Sequence, residues 1–120
     1  MKTIQQLFFA CLFFLVTSNV ALAALGEATL SVDGKAVSNN ASVALSNAKL
    51  SLQLQGELQR IEMQIVHAGQ VKNQASYQHL SAFNANASNM ARMMAKAGDQ
   101  LKVKVTFNDG TTQEFTLQLS

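Results

Sequence analysis

The sequence predicts a mostly β domain, two antiparallel sheets packed face to face with one short helix at about residues 88–97. Three observations carry that reading. Apolar residues alternate with polar ones in four separate stretches, as strands with one dry and one wet face require. Asp-Gly pairs stand between such stretches at Asp33-Gly34 and Asp109-Gly110, where a tight hairpin needs positive φ. One segment alone switches to helical spacing: Met90, Met93, Met94 and Ala97 fall at i, i+3, i+4 and i+7.

The elements follow in chain order. Lys2, the apolar run Leu7 to Val16 and the small-x-small end Ala21-Leu22-Ala23 form a secretory signal peptide, residues 1–23, expected to be cleaved after Ala23. The run is broken by Thr17, Ser18 and Asn19, too short for a membrane span, so none is expected after cleavage. The sole cysteine, Cys11, lies inside that run. Residues 24–120 then form a single domain. Ala28–Val32 and Lys35–Val37 read as a short hairpin about Asp33-Gly34, and a weaker strand is expected at Val43–Leu45. Leu50, Leu52 and Leu54 alternate with Ser51, Gln53 and Gln55, and Gly56 marks a turn or bulge before Ile61, Met63 and Ile65. A further strand is expected between Val71 and Leu80. The helix takes Ser88 or Asn86 as N-cap and ends at Gly98. The closing hairpin pairs Leu101–Phe107 with Thr112–Leu119 through Asn108-Asp109-Gly110-Thr111. Seven or eight short strands in about 100 residues suit an immunoglobulin-like sandwich.

Composition narrows the function. The chain has 9 basic and 7 acidic side chains, without the basic excess a nucleic-acid binder uses to neutralise phosphates. Without Cys11 the domain has no cysteine, so stability must come from packing and backbone pairing. Proline is absent, so no polyproline linker is present.

Constellations for chemistry are sparse. His67 and His79 are the only histidines, twelve positions apart, whereas zinc sites gather three or four ligands. No Gly-x-Ser-x-Gly elbow occurs, and Asp33, Asp99 and Asp109 read as turn residues. No enzyme, metal or cofactor is called for. Lys102 and Lys104 share the wet side of one strand, and Gln53 and Gln55 line another. With Tyr77 they are the candidate partner-binding residues, serving by edge-strand or face docking. Met90, Met93 and Met94 are expected to pack the helix on the core, with an adaptable binding face as the alternative.

Two resemblances arise in the C-terminal half. The run from Met90 through Gly98-Asp99-Gln100-Leu101 to Asp109-Gly110-Thr111-Thr112 resembles the C-terminal immunoglobulin-like domain of the gliding-motility GldM family. That resemblance implies an extracytoplasmic sandwich acting as a binding part of an envelope assembly. Export, size and the hairpin from Asp99-Gln100-Leu101-Lys102-Val103 to Asn108-Asp109-Gly110 are also similar to the small periplasmic curli-assembly chaperones. The expectation is an exported, periplasmic or extracellular, non-enzymatic module with a protein partner in the cell envelope. The alternative is a periplasmic chaperone restraining an amyloid-like or fibre subunit.

Overall fold

The computed structural model describes residues 26–47 and 49–120. The signal peptide expected at residues 1–23, with Cys11, lies outside them. Alternation works out as the sequence implies. Ala28, Leu30 and Val32 face Leu50 and Leu52 across one strand pair, and Ile61, Met63, Ile65, Leu101, Val103 and Val105 turn to the same core from another layer. The chain therefore builds two sheets around one apolar centre, a mostly β, sandwich-like arrangement.

The smaller sheet has the order β2-β1-β4, with β1 at Glu27–Val32, β2 at Lys35–Ala36 and β4 at Leu50–Gln55. Its β1–β2 hairpin turns at Asp33 and Gly34, both at positive φ as the Asp-Gly signal requires. The larger sheet has the order β3-β8-β7-β5-β6. Its strands are β3 at Ala41–Val43, β5 at Leu58–His67, β6 at Gln70–Tyr77, β7 at Gln100–Phe107 and β8 at Thr112–Leu119. All pairings in it are antiparallel except β3 with β8.

Gly56 marks the point where the chain leaves one sheet for the other, because β4 and β5 belong to different sheets. Its φ is +102°, and a β-carbon there would lie 3.1 Å from Gly26 Cα. Gly26 in turn lies against the buried Phe107 ring, with no room for a side chain. Two glycines and one phenylalanine thus close this corner of the core.

The helix α1 is Leu80–Met94: it begins about two turns before the expected residue 88 and ends within a turn of the expected residue 97. Its buried residues are Phe83, Ala87, Ser88 and Ala91, not the methionine stripe. Met90 packs partly on the core, whereas Met93 is 77 % and Met94 45 % exposed. Ser88, expected as a cap, lies mid-helix, and His79 precedes the first turn without a side-chain cap bond. The 3-10 turn at Leu45–Asn47 and the helix's contacts with β4, β5 and β6 complete the packing. No helix of the described residues is long and apolar enough to cross a membrane.

Candidate functional site

A strand at the edge of a sheet offers unpaired N–H and C=O groups to any extended chain that meets it. In the smaller sheet, side chains cap part of these groups on β1 and on the edge strand β4. On β4, Leu50 N–H donates to Ser88 Oγ at 2.8 Å and Leu52 N–H to Asn84 Oδ1 at 2.9 Å. Asn84 and Ser88 sit at i and i+4, one turn apart on α1, so their polar atoms meet alternate residues of the strand. On β1, the Gln113 amide acts as a one-residue strand: its Oε1 accepts from Ala28 N–H and its Nε2 donates to Ala28 C=O, both at 2.8 Å. Val37 N–H then donates to Leu30 C=O at 2.9 Å.

The larger sheet is different. Its β3 edge is three residues long. Its other edge, β6, is eight residues long and pairs only with β5. Every second residue of an antiparallel edge strand directs its backbone groups away from the sheet, and among the described residues none bonds to that side of β6.

The start of this edge is blunted. The register passes from Ile65↔Asn73 to Val66↔Val71, which leaves Lys72 as the extra residue of a bulge. A bulge re-aims its side chain, and Lys72 Nζ donates to Asp99 Oδ2 at 2.8 Å. Asp99 is fully buried; its Oδ1 lies 2.7 Å from His67 Nδ1, and its Oδ2 accepts Lys96 N–H at 2.9 Å. The Lys72 ammonium, then the Lys96 N–H, then His67 hold its carboxyl well below the usual carboxylate range. Its backbone C=O accepts Leu119 N–H at 2.9 Å. Asp99 therefore ties the ends of β5, α1 and β8 to the bulge, far more than the turn role expected of it. Beyond the bulge, Asn73 to Tyr77 carries no charged side chain.

Polar rows run from this edge across the outer face. Ser76, Glu62, Lys104 and Glu114 are in cross-strand register, as are Gln74, Gln64, Lys102 and Thr116. A shallow groove lined by Glu62, Gln64, Gln74 and Ser76 follows β6. A second, lined by Glu62, Gln64, Lys102, Lys104 and Glu114, continues over β7.

The five candidate residues divide into three places. Lys102 and Lys104 are on this outer face. Gln53 and Gln55 are on the smaller sheet, beside Thr29 and Glu27. Tyr77 ends β6 half-buried, its ring edge-on to Phe83 with centroids 5.6 Å apart, and burial raises its phenol. His67 and His79 bracket β6, which by strand rise separates them by on the order of 20 Å. Among the described residues no three His, Cys, Asp or Glu side chains cluster to hold a metal. The residues missed from sequence are Gln74, Ser76 and the Lys72–Asp99 pair; the only local signal was the uncharged run after Lys72. No family model, curated protein or solved structure matches the chain.

Proposed function

We propose that the protein is an exported, non-enzymatic interaction module of an envelope, secretion or surface-assembly system, and that it takes an extended segment of a protein partner along β6. The observation that carries this is the contrast between edges: side chains cap β1 at Ala28 and β4 at Leu50 and Leu52, while the outer side of β6 from Asn73 to Tyr77 has no partner among the described residues. Backbone pairing would supply affinity, and the alternate side chains would supply selectivity. Gln74 and Ser76 would read one side of the incoming strand, with Glu62 and Lys104 further along the row. The envelope setting rests on the secretory leader expected at residues 1–23 and on the resemblance to the GldM domain.

A photo-crosslinking amino acid at Gln74, compared with one at Gln53, tests this in the native host. The expected outcome is a defined adduct from Gln74, lost when the same protein is expressed without its partner, and none from Gln53. Equal labelling from both positions, or none from Gln74, removes the β6 reading.

A second reading, a chaperone for an amyloid-like subunit, is favoured by the Gln64–Gln74 amide pair beside the open edge, since stacked amides stabilise cross-β assemblies. Sub-stoichiometric delay of fibre growth by the protein supports it, and no delay at equimolar ratio removes it.

A further inference from the structure

Large apolar side chains on an amphipathic helix belong on its buried side. In α1 that side is made by Phe83, Ala87 and Ala91. Met93 and Met94 depart from the rule at 77 % and 45 % exposure, and with Val71 they are the only exposed large hydrophobics among the described residues. Met90 joins them one turn earlier, packed against the rim of the core. Positions i, i+3 and i+4 share one side of a helix, with neighbouring β-carbons about 5–6 Å apart. Three flexible thioethers are therefore gathered on the last turns of α1, one anchored at the core and two in solvent.

We propose that Met90, Met93 and Met94 form a binding site for a soft monovalent metal ion, Cu(I), through their three thioether sulfurs. Thioethers are weak ligands for hard cations and select Cu(I) among biological metals. Three unbranched side chains, each with three rotatable bonds, can converge on one trigonal ion from this spacing. The position adds to the case, because the C-terminal end of a helix carries partial negative charge from its unpaired carbonyls and favours a bound cation. Arg92 and Lys96 are the nearby cations in sequence. Arg92 Nη2 is turned to Asn89 Oδ1 at 2.7 Å, and Lys96 lies beyond the helix end with its backbone N–H held by Asp99. A site made of thioethers has no proton to release on binding, unlike one built from imidazole or thiolate. The ion binds and leaves as Cu(I), with no change of oxidation state.

The test uses protein purified after expression of the full chain, titrated with Cu(I) anaerobically against a chromophoric Cu(I) chelator, and with Ag(I) as a redox-inert surrogate. One equivalent is expected to bind, shifting the methyl NMR signals of Met90, Met93 and Met94 together. The M93L/M94L variant, whose exposed positions leave the thermal melt unchanged, should bind at least about tenfold more weakly, as loss of metal-site partners does. Affinity should be level from about pH 5 to about pH 8, since thioethers do not titrate. No binding of either ion, binding unchanged in M93L/M94L, or affinity that falls steeply in acid would each overturn the site.

Discussion

At the scale of single residues, Asp99 carries the sharpest consequence. Its carboxylate is buried and accepts from Lys72, Lys96 and His67, so its folded-state pKa lies below its unfolded one. For a depressed acid, the stabilising contribution is present above the unfolded value, about pH 4, and drains away as pH falls further. The wild-type protein should keep its urea midpoint, as far as these groups set it, from neutral to about pH 5 and lose it as melts are moved on to about pH 3. Asp99→Asn should melt earlier at pH 7 and lose less on acidification. Part of the acid slope should survive, because Asp109, hydrogen-bonded by Thr111 and by Gly26 N–H, is depressed as well. Parallel pH profiles for the two proteins would contradict this assignment. Sequence could not show it: Gly98-Asp99 has the composition of a turn, and only the bulge at Lys72, a feature of strand register, brings an ammonium to it.

At the scale of elements, α1 explains most of what the pattern misplaced. Ser and Asn compete with helical backbone and so read as caps or breaks. Here Asn84 and Ser88 spend their polar atoms on the backbone of β4, which removes that competition and lets the helix run through them. The tertiary partner reversed the local signal. The methionine spacing was genuine helical periodicity on the wrong side of the helix, because small Ala87 and Ala91 allow close approach to the strands while Phe83 fills the space. Two outcomes follow. Ser88→Ala leaves the buried Leu50 N–H without an acceptor and should cost about 1–3 kcal/mol in equilibrium unfolding. Phe83→Ala empties a fully buried ring position and should cost about 3–5 kcal/mol. A Ser88→Ala variant as stable as the parent would mean that β4 finds another cap.

At the scale of the whole molecule, the mostly β class, the two hairpins at Asp33-Gly34 and Asp109-Gly110, and the inward residues of the long strands were all legible from alternation. Period 2 states which side of a strand is dry, and burial has no other solution. Alternation does not state which strands are neighbours. Leu50–Gln55 and Leu58–His67 lie next to each other in sequence yet in different sheets, and β6 and β7 flank β5 only because α1 carries the chain across. The candidate site depends on that second kind of information. Lys102 and Lys104 were placed on a wet face from spacing alone, but the open side of β6 exists only once the strand order is known. The three partner-binding groups named from sequence therefore occupy separate regions, and the edge that unites the outer polar rows is the one that sequence did not single out.

The most direct test is residue-resolved amide hydrogen exchange along β6, in the protein alone and in the complex recovered through the Gln74 crosslink. In the free protein, alternate amides between Asn73 and Tyr77 should exchange rapidly while the edge amides of Leu50 and Leu52 are protected by Ser88 and Asn84. In the complex those β6 amides should become protected. Protection of all β6 amides in the free protein, or no gain in the complex, would contradict docking at this edge.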